Sequence, residues 1–272
     1  MAGLAKVKTV AVAAAMMGLA MSAAEAAKCG NTAAGFDAWK AEFSREAAGM
    51  GVGQKGLSAL AGTSYASKTI WADRNQKSFK LSLDEFMVKR GGKTIASKGR
   101  TLKKQNAALF DRIEQRYGVP AGPLIAIWGM ETGFGSFLGN ANIVSAVATL
   151  AYDCRRSDYF TEQLTAALKL VDQGELTPSA IGAMHGEIGQ TQFLPVNVLR
   201  YGVDGDGNGS IDLIRSKADA LASTANFLRG HGWRPGAGYQ PGQPNFVALQ
   251  GWNAASVYQQ AIAIIGAQID GD

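Results

Sequence analysis

Histidine and cysteine are nearly missing from this chain, which has two of each among 272 residues. Cys29 and Cys154 form no C-x-x-C pair, and His185 and His231 form no cluster, so the usual ligand sets of a zinc site are not there. Alternating apolar and polar runs, the mark of half-buried strands, are missing too. So are internal repeats, low-complexity tracts and, beyond the first 26 residues, any apolar run near the ~20 residues that a membrane helix needs. Gly91-Gly92-Lys93-Thr94 ends like a phosphate-binding loop, but Met87 stands where that motif's first glycine belongs, and the segment reads as a turn. These absences argue against zinc-dependent and P-loop chemistry. The charge is modestly basic, +5 with a pI near 9.2. It suits a polyanionic partner such as a cell wall, a membrane surface or nucleic acid without choosing among them.

What is present begins with the N-terminus. Lys6 and Lys8 precede an apolar run at residues 10–20, and Ala24-Glu25-Ala26 offers small residues about a spacer before Ala27. A charged start, a short apolar run and an A-x-A end describe a signal peptide at residues 1–26. Lys28 occupies the place where a lipid-anchored Cys29 would need a small residue. The expectation is a secreted or periplasmic monomer with no membrane-spanning segment after cleavage. Export predicts that Cys29 and Cys154 are bridged. Residues 27–272 read as one catalytic unit, with a small annex around residues 56–99.

Helical periodicity runs through most of that unit. Phe36, Trp39, Phe43 and Ala47 recur at three and four, as do Leu102, Leu109, Phe110, Ile113 and Tyr117. Tyr159, Phe160, Leu164, Leu168 and Val171 make another stripe, and Trp252, Tyr258, Ile262, Ile265 and Ile269 a last one. Residues 202–212 and 234–245, rich in Gly, Asp, Asn and Pro, read as irregular connections. The fold class is mainly α.

One helix carries a residue that stability alone would not select. Pro120 and Pro123 suit a first turn, and Leu124, Ile127, Trp128 and Glu131 then share one face, apolar until the glutamate. Gly133 and Gly135 stop the helix, so Glu131 lies near a C-terminus whose dipole disfavours negative charge. A lining of Trp128, Met130, Phe134 and Phe137 would raise its pKa, giving the protonated state that a general acid needs. A glutamate satisfied by backbone N–H groups or by an arginine is the structural alternative, and periodicity leaves both open.

Glu131-Thr132-Gly133-Phe134-Gly135 resembles the E-T-x-x-G catalytic motif of the B-type lytic murein transglycosylases. GEIGQTQFLP at residues 186–195 is similar to their G-A-M-G-x-x-Q-F-M-P block, and YGVDGDGNGSIDL, ADALASTANFLRGHGW and PNFVALQGWN follow in that family's order. The resemblance implies a lysozyme-like helical core, a groove for peptidoglycan glycan strands rather than nucleic acid, and no cofactor for catalysis. By position, Glu131 matches the single catalytic acid/base and Gln192 a substrate-contacting glutamine. Asn253 matches the asparagine of the family's Y-N pair, and Phe227 and Tyr258 match aromatic positions that line the groove. Trp252 replaces the tyrosine of that pair; it can stack on a sugar but brings no hydroxyl to Glu131. Ala183 replaces a frequent serine. Glu187 replaces an alanine, with three readings open: a surface charge, which is the expectation, a second groove carboxylate, or a partner perturbing Glu131.

The implied reaction breaks the β-1,4 bond between N-acetylmuramic acid and N-acetylglucosamine. Glu131 protonates the leaving oxygen, then takes the proton of the muramic C6 hydroxyl, which closes on C1 as a 1,6-anhydro end. Glycosidases ordinarily need a second carboxylate, and none is equally well placed in the sequence. The rivals are a hydrolytic muramidase, with Glu187 or another acid activating water, and a non-catalytic wall-binding scaffold. Separately, Asp204, Asp206, Asn208, Gly209, Ser210 and Asp212 match oxygen-bearing and glycine positions of an EF-hand loop. Arg215 stands where the closing glutamate belongs, and Asp219 is the expected replacement, as in the family's related loop. A structural calcium ion there would brace the lobe behind Gln192.

Overall fold

The structure, a computed structural model, describes residues 27–75 and 81–271; the signal segment read at residues 1–26 lies outside them. Apolar residues at three- and four-residue spacing close into helices along nearly all of it. The first six are α1 (Phe36–Gly49), α2 (Gln54–Ala61), α3 (Ser67–Arg74), α4 (Leu83–Arg90), α5 (Gly92–Gln105) and α6 (Ala107–Tyr117). The central α7 (Ala121–Thr132) is followed by α8 (Ile143–Tyr152), α9 (Ser157–Gln173) and α10 (Pro195–Tyr201). The last three are α11 (Lys217–Gly230), α12 (Phe246–Trp252) and α13 (Ser256–Asp270).

Two expected stripes are each divided. The run from Leu102 to Tyr117 breaks at Asn106, whose backbone N–H and side-chain amide both donate to the Leu102 carbonyl, at 3.0 and 2.9 Å. The C-terminal stripe breaks after Trp252, where Asn253 turns extended and its Oδ1 accepts the Ala255 N–H. Two-residue strands, β1 (Ala141–Asn142) and β2 (Ile181–Gly182), pair antiparallel, a feature too short to show as alternation.

Helix α7 is buried on every side rather than along one stripe. It packs between α5 and α13, while α8, α9, α2 and α10 form a second layer. Leu60, Ile70, Phe86 and Ile95 belong to the same apolar cluster as Leu124 and Ile125 of α7. The segment 56–99, read from the sequence as an annex, therefore shares the central core. Among the described residues no helix is long and apolar enough to cross a membrane.

The bridge between Cys29 and Cys154 is formed. It ties the start of the described chain to the turn after α8, where the Gly30 N–H also donates to the Tyr152 carbonyl at 2.9 Å. The bridge closes a separation of 125 residues. Replacing both cysteines by serine should lower the unfolding free energy by up to about 5 kcal/mol on the chain-entropy account. Denaturant titration checks this, and an unchanged midpoint and slope would show that the bridge adds nothing.

Candidate active site

The end of α7 is built by its own sequence. Pro120 caps the helix in an extended conformation, Pro123 lies in the first turn, and Gly133 stops it at φ 58°, a left-handed value that glycine adopts without strain. Thr132 then locks the exit: its hydroxyl donates to the Gln190 carbonyl at 2.6 Å and accepts the Gly135 N–H at 2.9 Å. A Cβ on Gly135 would stand 2.8 Å from Gln190 Oε1. The same amide oxygen accepts the Trp128 indole N–H at 3.1 Å. The E-T-x-x-G turn and the 186–195 block are thus one hydrogen-bonded unit. Two non-glycine residues of this unit, Phe134 and Gln192, have left-handed backbones at φ 65° and 58°. Such strain persists where surrounding contacts impose it and concentrates at functional sites.

Glu131, the penultimate residue of α7, is partly buried. Its Oε1 accepts the Tyr258 hydroxyl at 2.6 Å and the Trp252 indole N–H at 3.2 Å. Burial drives its pKa above the ordinary carboxylate value. The bonds from Tyr258 and Trp252 and the charge of Arg90 oppose that rise without cancelling it, and the charge of Glu187 adds to it. Burial and the neighbouring Glu131 hold the Tyr258 hydroxyl well above its usual range, so it stays a donor. Trp252 was expected to bring no hydroxyl to Glu131; its ring nitrogen supplies a hydrogen bond instead. Phe137 was expected in the lining, but it is 67% exposed and shields nothing.

A cleft of about 220 Å³ opens beside this carboxyl. Glu131, Gln192, Phe227, Trp252 and Asn253, all singled out from the sequence, line it together. Phe227 is nearly buried and forms the floor with Phe193 and Trp252, the three rings meeting edge to face at 5.1–5.9 Å. The Gln192 amide nitrogen donates to the Gly189 carbonyl at 2.8 Å, which fixes the side chain. Tyr258 is placed differently: 3% exposed, it lies behind Glu131 and not in the groove wall. Asn197 and Glu187 line the cleft as well, and neither was assigned there from the sequence. Glu187 was expected at the surface. A groove carboxylate was the open alternative, raised by its replacing an alanine in the 186–195 block.

The aspartate loop is divided. Asp204, Asp206 and Asp219 bring one carboxylate oxygen each within 4.8 Å of one another, as a divalent cation would require. Asp212 turns to Arg215 instead, and Asn208 Oδ1 accepts from both the N–H and hydroxyl of Ser210. Asp219 spans the loop by accepting the Gly205 and Asp212 N–H groups.

This helical core, with a glutamate at a helix end facing a cleft, matches a known family, the transglycosylase SLT domain. The chain matches that family over residues 35–243 and belongs to it. Membrane-bound lytic murein transglycosylase B of Escherichia coli (strain K12) is 35% identical over 145 residues, 50% of this chain and 40% of that protein. This chain thus aligns with less than half the length of that relative. The crystal structure of SltB3 from Pseudomonas aeruginosa in complex with NAG-anhNAM-pentapeptide superposes with a TM-score of 0.80 at 28% identity, over 87% of this chain and 80% of that one. Escherichia coli Slt35 in complex with calcium shares the fold at 22% identity, with a TM-score of 0.75 over 92% and 98% of the two chains.

The raised pKa of Glu131 has a measurable sign. Between its unfolded and folded values the folded protein binds more protons, so stability falls as pH rises through that window. Glu131→Gln removes the effect. Relative to the parent, the variant should gain melting temperature as pH rises above the ordinary carboxylate range of about 4. A difference that does not change with pH would contradict the assignment.

Proposed function

We propose that the protein is a lytic transglycosylase of bacterial peptidoglycan, cleaving the β-1,4 bond between N-acetylmuramic acid and N-acetylglucosamine to leave 1,6-anhydromuramic ends. The observation that carries this reading is the raised, doubly hydrogen-bonded carboxyl of Glu131 facing a cleft lined by Gln192, Asn253 and Trp252. Both donors meet Oε1, so in this reading Oε2 carries the proton to the glycosidic oxygen. As the C1–O bond breaks, the same two donors stabilise the carboxylate that forms. That carboxylate takes the proton of the C6 hydroxyl while its oxygen bonds to C1, and no water is consumed. An intramolecular attacker enjoys a large effective concentration, so one group serves as acid and then base. The NAG-anhNAM-pentapeptide complex of SltB3 supports the product class.

Residues 27–272 act in this reading as one monomeric catalytic unit in the periplasm or outside the cell. Its basic charge suits an anionic wall. Asp204, Asp206 and Asp219 would hold a calcium ion, as the calcium complex of Slt35 supports, with Asn208, Ser210 and Asp212 shaping the loop around it. The ion supplies a brace for the loop and takes no part in catalysis. One observation favours the hydrolytic alternative: Glu187 lines the same cleft as Glu131.

Two outcomes test this. Glu131→Gln should lower the lysis of purified sacculi by at least about 100-fold, the scale of lost acid–base catalysis, with the fold intact. A folded variant that keeps a tenth of the activity contradicts the role. Calcium should raise the melting temperature and Asp206→Ala should cancel that rise; a melting curve indifferent to calcium and to chelator leaves the loop a plain turn.

A further inference from the structure

Glu187 belongs to a chain of charges that the reaction just described does not use. Asp73, on α3, is buried and pairs with the guanidinium groups of Arg155 and Arg156 in the turn before α9. Beside it stands His185, whose Nε2 lies 3.6 Å from Asp73 Oδ1 and has no hydrogen-bond partner. On its other side, His185 Nδ1 lies 3.5 Å from Glu187 Oε1, and the His185 backbone N–H donates to Glu187 Oε2 at 3.0 Å. The imidazole is thus clamped between two carboxylates, one anchored by two arginines and the other opening into the cleft. A quarter of the Glu187 side chain is exposed, on the side that Glu131 shares.

We propose that Glu187, anchored through His185 and Asp73, is a positioning residue of the reaction, whose fixed negative charge holds the proton on Glu131 until the glycosidic oxygen arrives. This rests on the transglycosylase reading of the site. Burial by itself would push the Glu187 pKa up, but the His185 ring, together with the backbone N–H groups of Glu187 and His185, outweighs it and holds the group below the ordinary carboxylate value. Two carboxyls in one cleft do not both ionise easily, and the environment decides which one keeps the proton. His185 stabilises the anion at Glu187; Glu131 has burial and takes the proton. The other charged and titratable groups around Glu187 do not reverse this order. Tyr159 on α9 is a neutral phenol, Arg155 and Arg156 are engaged with Asp73, and Arg90 on α4 acts on Glu131 from behind without offsetting its burial. After the leaving group departs, the same charge makes the Glu131 carboxylate a stronger base for the C6 proton. Glu187 itself gains and loses no proton.

The test is the pH dependence of kcat/KM on a soluble tetrasaccharide of alternating N-acetylglucosamine and N-acetylmuramic acid, beside a carbon-13 titration of the Glu131 carboxyl in the full protein. Glu187→Gln should move the alkaline limb and the Glu131 midpoint down together by about one pH unit, the scale of one screened charge across a cleft. Glu187→Asp, which keeps the charge, should retain both, and His185→Asn should shift them in the direction of Glu187→Gln. The product should stay anhydro-ended throughout. A Glu131 midpoint unmoved in Glu187→Gln overturns the proposal even if activity drops. Reducing muramic ends from the parent that vanish in Glu187→Gln overturn it too, because Glu187 would then be the base that aims water. A parent that cleaves nothing, with the midpoint shift intact, sinks the functional reading and this role with it, leaving only the electrostatics.

Discussion

A carboxyl group in the last turn of a helix that is buried on every side must be neutral or compensated, because burial and the helix dipole both oppose its charge. Here the compensation is partial. Tyr258 and Trp252 reach one oxygen of Glu131 from the two C-terminal helices, and the raised pKa shows that they soften burial without overcoming it. Much of the architecture serves that compromise. Helix α13 packs along α7 and so carries Tyr258 to the carboxyl, and the break at Asn253 turns Trp252 toward the same atom. Thr132 and Gly135 tie the helix exit to the loop that presents Gln192 and Glu187.

The raised pKa of Glu131 is thereby an outcome of the whole fold. Every donor that contacts it comes from a residue more than a hundred positions away. The second carboxylate is stabilised by a histidine that stands beside Asp73 of α3, and Asp73 is in turn held by arginines from the turn after α8. That turn is also where the Cys29–Cys154 bridge attaches, so the tether at the start of the described chain and the arginines that hold Asp73 share one stretch of backbone.

Much of this was legible in the sequence, for reasons that differ by residue. Glu131 stood out because it interrupts an apolar helix face just before two glycines, a purely local pattern. Helices α1, α6 and α9 followed from their periodicity; the breaks at Asn106 and Asn253 did not, since the stripes continue across them while side-chain hydrogen bonds end the helices. Gln192, Asn253, Phe227 and Trp252 were placed by resemblance, and they do meet in one cleft. The Trp252 hydrogen bond was missed because a tyrosine-to-tryptophan exchange was read as the loss of a hydroxyl, when the indole nitrogen reaches the same oxygen. Asp73, His185 and Glu187 were illegible as a group: positions 73, 155, 156, 185 and 187 share no period, and tertiary packing alone brings α3, the turn after α8 and the loop after β2 together.

The central claim is that one glutamate breaks the glycan strand without water. Digestion of purified sacculi in oxygen-18 water, followed by mass analysis of the new muramic ends, tests it most directly. The account predicts ends one water lighter than the hydrolysed form and free of oxygen-18, since the C6 oxygen that closes on C1 comes from the sugar itself. Ends that carry one oxygen-18 at C1 would show that water attacked, and would contradict it.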